Sequence, residues 1–489
     1  MQEQMTHLAR AGFSRESVLA LSERLGEPAW MREFRLAAWE AFERLPWPAP
    51  ADPEWRRTDP TMFRLEGIRP FADAPAGALP ASLQQVVDAW RAPAGLLLQR
   101  NSQGVRSQLD PGAARRGVVF TDLHTALRER GDLIREYFMT TCVRPDETKF
   151  RALHAALWSG GALLYVPDGV EITAPLVSLA WIDADGVGVF PHLLVIAGPS
   201  SKVTLITGAA SPPGEWPPSR GSGWPGSSTD GHGPARVEGQ AFADPVTELI
   251  LRDGAQVRLV TLQDWGSNVA EIGIIRSVLA RDAELRSLLV GFGGKVVKTN
   301  VESILDGPGA TSEMLGLVFG DSRQHFDLHT LQEHRAPHTL SDLLYKNAVK
   351  DRARSVFSGM IRVLPGAQKT NAFQANRNLI LSEGAKADSI PNLEIMANDL
   401  RCTHGSATSR LNEEHLFYLM SRGLARAQAV RMVVEGFFAE LLDRVPLDDL
   451  RARLQWEIEQ KMAEDADGNG TGEIPTRRPL RNGEPQPTS

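Results

Sequence analysis

Between residues 253 and 385 the chain repeats one kind of turn: Asp253-Gly254-Ala255, Asp282-Ala283, Gly307-Pro308-Gly309-Ala310, Pro365-Gly366-Ala367 and Glu383-Gly384-Ala385. The first three alanines, Ala255, Ala283 and Ala310, stand 28 and then 27 residues apart. A period of that length holds two short strands and two corners, and one such unit cannot bury its own apolar face, so units must stack. Val257–Leu262, Ile272–Leu279 and Leu285–Val290 fill the intervals with short runs rich in leucine and β-branched residues. Ala162–Val166, Leu193–Ile196 and Val203–Ile206 carry the same character upstream. Helical periodicity is lost for about 240 residues after Gly160-Gly161. The pattern predicts a mainly β fold, a parallel β-helix. A sandwich of irregular hairpins is the alternative, since the repeat weakens after Ala310.

Both flanks read as helical. Ser14 is placed to cap a helix over Ser17–Leu25, and Trp30, Phe34, Ala37, Ala38, Ala41 and Leu45 then recur at three- and four-residue spacing. Pro46, Pro48, Pro50, Pro53 and Pro60 enforce an extended connection. Leu133, Ile134, Tyr137 and Phe138 make another apolar helical face, and a further helix is expected from Glu147 to Trp158. Towards the end, Val430, Val433, Val434, Phe437, Phe438, Leu441 and Leu442 form a wide apolar stripe, suited to packing on the β-region or to a partner, and Pro446 precedes a last helix over Leu447–Met462. The expected organisation is an N-terminal helical region with a proline-rich linker at 1–158, a β-helix core at 159–410, a C-terminal helical region at 411–463 and a disordered tail at 464–489. A mobile insertion is expected at 208–235, where seven Gly, six Pro and five Ser leave too little apolar surface to offset ordering entropy.

Several function classes are disfavoured. A net charge of -7 offers no broad basic field for nucleic acid. No apolar run of transmembrane length is present and Met1–Arg10 lacks the order of a signal peptide, so a cytoplasmic chain with no membrane partner is expected. Gly291-Phe292-Gly293-Gly294-Lys295-Val296 lacks the spacing and the hydroxyl residue of a phosphate-binding loop. Any ATP use would belong to another chain, and no enzyme activity is expected of this one. Cys142 and Cys402 are the two cysteines, too few for a disulfide framework or for the four thiolates that usually hold an iron–sulfur cluster.

Two constellations could hold metal. His325, His329, His334 and His338, with Asp327 and Glu333, fall within 14 residues. On a strand His325, Asp327 and His329 share a face; on a helix the histidines form two i, i+4 pairs, which Pro337 and the β-context oppose. A metal site, as in a free-standing metalloenzyme, and ordinary rung-face hydrogen bonding are both open readings. The second constellation is Cys402-Thr403-His404-Gly405, where thiol and imidazole two residues apart on an extended chain point to one side.

Leu344-Tyr345-Lys346, Val356-Phe357-Ser358-Gly359 and Ala367-Gln368-Lys369-Thr370-Asn371-Ala372, followed by Gln374, Asn376 and Asn378-Leu379, resemble the core signature of the SufB/SufD family. The likeness continues through Pro391-Asn392-Leu393-Glu394-Ile395, Cys402-Thr403-His404-Gly405, Leu416-Phe417-Tyr418 and Ser421-Arg422-Gly423, about 120 nearly continuous residues. It extends more weakly upstream to Trp158-Ser159-Gly160-Gly161, Tyr165-Val166-Pro167 and Gln263-Asp264-Trp265-Gly266. The resemblance implies a right-handed parallel β-helix flanked by helices, and a role in SUF iron–sulfur cluster assembly. It implies a SufB-like scaffold partner at the β-helix edge and a SufC-like ABC ATPase at the C-terminal helices. The Cys-Thr-His-Gly form is similar to the SufD branch, whereas the SufB branch usually has acidic residues around the histidine. His404, with Cys402 second, is then the expected contribution to an iron or cluster site formed transiently in the complex, with no cofactor bound tightly to the isolated chain. A SufB-like homodimer is the alternative within the family. Ser406-Ala407 departs from the Ala-Thr common after this glycine, and the insertion has no recognised counterpart.

Overall fold

The computed structural model describes residues 12–90, 92–212, 240–445 and 447–463. The expected tail, 464–489, and most of the expected insertion, from 213, lie outside the described residues. The insertion's first residues, 208–210, are the end of a strand rather than a loop.

The N-terminal part contains α1 (Arg15–Leu25), α2 (Ala29–Arg44), a short 3₁₀ turn at Pro60–Met62 and α3 (Ala81–Asp88). β1 (Gly95–Arg100), β2 (Gln103–Leu109), α4 (Pro111–Arg115), β3 (Val119–Asp122), α5 (Leu123–Glu129), α6 (Gly131–Tyr137) and α7 (Lys149–Leu157) follow. Ser14 caps α1 by accepting from the Ser17 N–H at 3.2 Å, and Thr148 caps α7. Arg35 of α2 is fully buried, paired with Glu27 at 2.6 Å and donating to the carbonyls of Ala156 and Trp158, which ties the first helices to the end of α7.

Strands then dominate to residue 410. In order they are β4 (Gly161–Val166), β5 (Leu176–Trp181), β6 (Gly188–Val189), β7 (His192–Ala197), β8 (Lys202–Ala210), β9 (Ala241–Ala243), β10 (Val246–Leu251), β11 (Gln256–Asp264), β12 (Val269–Leu279), β13 (Glu284–Gly291) and β14 (Val296–Leu305). β15 (Thr311–Gly320), β16 (His325–His334), β17 (Leu340–Val349), β18 (Arg354–Val363), β19 (Asn371–Ile380), β20 (Lys386–Ile395) and β21 (Arg401–Arg410) complete them. They form two sheets, one ordered β2-β1-β5-β8-β11-β13-β15-β17-β19-β21 and the other β20-β18-β16-β14-β12-β10-β7-β4-β3. Successive strands alternate between the sheets and pair in parallel with the rung before, giving a β-solenoid of about eight turns. Parallel pairing rules out the hairpin sandwich. The solenoid also starts earlier than its repeat does: β1 pairs in parallel with β5, so residues 95–100, inside the stretch expected to be helical, already belong to it.

The repeated turns are its corners. Ala255, Ala283, Ala310 and Ala367 are buried at one corner and Ala353 and Ala385 at the opposite one, each small enough for the next rung to stack on it, and the Glu284 N–H donates to the Ala255 carbonyl as Thr311 does to Ala283 and Leu340 to Ala310. Gly309 shows why glycine recurs: its φ is +77°, and a Cβ there would stand 2.1 Å from Asp282 Oδ1 of the rung below.

The chain ends in α8 (Glu413–Ser421), α9 (Arg426–Leu442) and α10 (Asp448–Ala463). The apolar stripe is spent on packing. Val434, Phe438, Leu441 and Leu442 are buried with Leu454 and Ile458 against Leu317, Phe319, Leu344 and Leu379 on the outer face of one sheet. The N-terminal helices cover the other sheet, where Phe138, Leu153 and Trp158 pack with Phe190, Leu194 and Phe242.

Candidate functional site

The dense histidine cluster is divided among three surroundings. His325, Asp327 and His329 share one face of β16, as a strand requires, and that face lies under the N-terminal segment. The Thr58 hydroxyl donates to Asp327 at 2.5 Å and sits 2.8 Å from His325 Nε2, while Lys298 donates to Asp327 Oδ2 and to the Glu54 carbonyl, each at 2.9 Å. Burial alone would raise the Asp327 carboxyl, but the neighbouring His329 imidazole and Lys298 ammonium hold it well below the usual range. Burial pushes His325 down to about 4. His334 is buried inside the solenoid between the hydroxyls of Thr339 and Ser341, at 2.7 and 2.9 Å. His338 is exposed at a corner with φ of +60°. Among the described residues no group of three His, Cys, Asp or Glu is arranged to hold a metal ion. Strand alternation and a corner thus place His334 and His338 apart from His325, Asp327 and His329, although all five are close in sequence.

His404 lies elsewhere, on β21, the terminal strand of its sheet. β21 pairs with β19 so that Ala372 faces Cys402, Gln374 faces His404, Asn376 faces Ser406 and Asn378 faces Thr408. Register partners in a parallel sheet project to one side. Ala372 and Gln374 point into the solenoid, so Cys402, His404, Ser406 and Thr408 line its mouth, where no further rung among the described residues covers them. His404 is exposed and has no hydrogen bond or ion pair among the described residues. Cys402 is half-buried against Ile361, Val363 and Ala372, and burial raises its thiol. Thiol and imidazole thus share a side, as the two-residue spacing requires. One rung in, Gln374 is fully buried with both amide atoms unpartnered among the described residues, and it lies over Gly359, where a Cβ would stand 2.4 Å from the amide.

The rim leaves a strand edge unpaired among the described residues. The Arg401 N–H donates to the Thr370 carbonyl at 2.9 Å, so alternation turns the backbone of residues 402, 404, 406 and 408 away from β19, with no strand beyond among the described residues. On β20, Lys386 bonds back to Ala353, which leaves Pro391 at an outward position where no N–H is needed. Phe373, Leu393, Ile395 and Met396 are between 38 and 46% exposed around this end. A second exposed group, Phe417, Tyr418, Met420 and Met432, lies on α8 and the start of α9. Sequence reasoning missed Gln374 as a site neighbour, because only register brings it beside His404.

Residues 226–437 match a family described as the SufBD core domain of SUF system FeS cluster assembly. The chain is 29% identical over 460 residues to the iron–sulfur cluster assembly protein SufD of Bacillus subtilis, covering 94% of this chain and 100% of that protein. It is 26% identical to the iron–sulfur cluster assembly protein SufB of the same organism, and 27% identical to a SufBD family protein of Staphylococcus epidermidis, each covering 92% of this chain and 93% of the relative.

Proposed function

Because the chain belongs to the SufB/SufD family of SUF iron–sulfur cluster assembly, we propose that it works there as a non-catalytic, SufD-like subunit whose open solenoid end completes an iron or cluster site with a SufB-like partner. The observation that carries this reading is the bare last rung: an unpaired strand edge with an apolar rim and a free imidazole at the mouth. Edge backbone supplies main-chain pairing to another chain, and the rim supplies apolar area. His404 then stands where two chains meet, and imidazole serves as an iron ligand where cysteines are too few. Cys402, half-buried with a raised thiol, is the secondary ligand. The metal or cluster is cargo of the complex, not a resident group of this chain.

A SufC-like ATPase is proposed to dock on the C-terminal helices. The wide stripe of α9 is occupied by the solenoid, so the docking surface is the exposed group on α8, with Phe417 at 73% and Tyr418 at 56% exposure. Among the described residues no helix is long and apolar enough to cross a membrane; a cytoplasmic complex is proposed from the match to SUF system assembly proteins. The similar identities to SufD and SufB, 29 and 26%, support a second reading as a SufB-like homodimeric scaffold.

Co-expression with native SufB- and SufC-like partners, followed by measurement of stoichiometry, iron and sulfide, tests these readings. A hetero-complex that holds iron and sulfide while the isolated chain holds neither is expected. A homodimer that assembles cluster without the SufB-like chain overturns the heteromeric reading.

A further inference from the structure

His154 on α7, His192 on β7 and Glu248 on β10 form one line of buried groups between the N-terminal helices and the solenoid, all at 0% exposure. His154 Nδ1 lies 2.7 Å from the Asp244 carbonyl oxygen, His154 Nε2 lies 3.0 Å from His192 Nδ1, and His192 Nε2 lies 3.0 Å from Glu248 Oε2. The same carboxyl accepts backbone N–H groups from the loop before α7, Met139 on Oε2 at 2.8 Å and Val143 on Oε1 at 2.9 Å. Helical layer and solenoid are therefore joined through Glu248.

Three contacts along this line need three hydrogens. A carbonyl oxygen only accepts, so His154 Nδ1 must carry one. Two neutral imidazoles carry one N–H each and a carboxylate carries none, which leaves one contact without a hydrogen. In that state two lone pairs face each other at hydrogen-bond distance in a site closed to water, and an ionised carboxylate is buried beside them. One added proton satisfies all three contacts and makes the line neutral. We propose that the folded protein takes up and keeps one proton on the His154–His192–Glu248 line at neutral pH, and that this proton fastens the N-terminal helical layer to the solenoid.

The charged surroundings support that state. Arg276 on β12 faces Glu248 but is held by Glu147 at 2.7 Å and Glu302 at 2.6 Å, so its charge is already matched. Arg151 of α7 lies 3.8 Å from Asp244, whose buried carboxyl is raised, and Arg35 approaches His154 from α2. The Cys142 thiol beside Glu248 is raised by burial and stays neutral. Burial raises Glu248 to about 8 and lowers His192 to about 3, and it lowers His154 well below the ordinary imidazole value. The proton then sits on Glu248 Oε2, which donates to His192 Nε2; His192 Nδ1–H donates to His154 Nε2, and His154 Nδ1–H to the Asp244 carbonyl.

A carboxyl raised on folding contributes stability that is full below its unfolded value and is lost as pH rises through the folded one. The two lowered histidines act in the opposite sense, but only below about 6.5, the ordinary imidazole value. Between there and pH 8 the Glu248 proton adds up to about tenfold in an opening equilibrium per pH unit, and the raised Asp244 carboxyl acts in the same sense with or without Glu248. The test is hydrogen exchange of peptides covering residues 139–157, corrected for the chemical exchange rate, from pH 6.5 to 9 in the full chain and in Glu248→Gln. The wild-type opening constant should rise more steeply than the variant's to pH 8, by up to about tenfold per unit, the Asp244 contribution being common to both. Equal pH dependence in both overturns the proposal. Should Glu248→Gln fail to fold, infrared spectra of glutamate-labelled Glu271→Gln decide, since Glu271 is the other buried glutamate with a raised value. A protonated carboxyl band at pH 7 that disappears above pH 8 supports the stored proton. Absence of that band overturns it.

Discussion

The two ends of the solenoid are made from the same kind of strand and finished differently. At the first end, β1 is buried along its length, antiparallel β2 and β3 close the sheets, and helices cover what remains. At the last end β21 has nine of its ten residues exposed and β20 is half-exposed, and among the described residues nothing is laid across either. A repeating fold must stop somewhere, and an unpaired terminal rung invites another chain unless it is capped. Only the first end is capped. The contrast explains the histidines too: His325 and His334 sit in covered rungs and are engaged by Thr58, Thr339 and Ser341, whereas His404 in the uncovered rung is left available.

If covered rungs are structural and the bare rung functional, substitutions should sort by position. The largest loss of stability is expected for Phe326→Ala inside the solenoid, about 4 kcal/mol by denaturant unfolding, because a fully buried ring leaves a cavity. Lys298→Met should follow at about 3 kcal/mol, since Asp327 would keep its buried charge and lose its ammonium partner. A cost below about 1 kcal/mol would mean that the covered histidine face is not held by this network. On the bare rung, Ser406→Pro should change chain stability by less than about 0.5 kcal/mol, because the N–H it removes points off the sheet and Gly405 tolerates the restriction that proline imposes. Co-purification with the SufB-like partner should nonetheless be lost. Normal pairing by that variant would show that the β21 edge is not the interface.

The solenoid was legible because its corners are chemically distinctive: an alanine that must stack, beside a residue at positive φ (Gly254, Asp282 or Gly309), recurs in three successive rungs. Its first strands were not, since Gly95–Arg100 stands between helical segments and has no such corner beside it. The histidine cluster could not be resolved by spacing alone, because two-residue alternation places His325 outside and His334 inside the same strand. The C-terminal stripe signalled burial, and of its two readings, the β-region or a partner, the structure takes the β-region. The proton line was invisible in sequence, as His154, His192 and Glu248 meet only when α7 packs on two successive rungs. His404 was marked by the family motif, and the geometry adds its exposure, its register with Gln374 and its place at an unpaired edge.

The central claim is that the open end supplies a ligand through His404. Its most direct measurement is iron and sulfide per complex for the wild type and His404→Ala, purified with both partners at equal stoichiometry, alongside thermal unfolding of each isolated chain. Unchanged unfolding is expected, since an exposed side chain without partners among the described residues contributes less than about 0.5 kcal/mol, and unchanged assembly, together with loss of most of the iron and sulfide. A His404→Ala complex that assembles normally and accumulates iron and sulfide at the wild-type rate would contradict that claim.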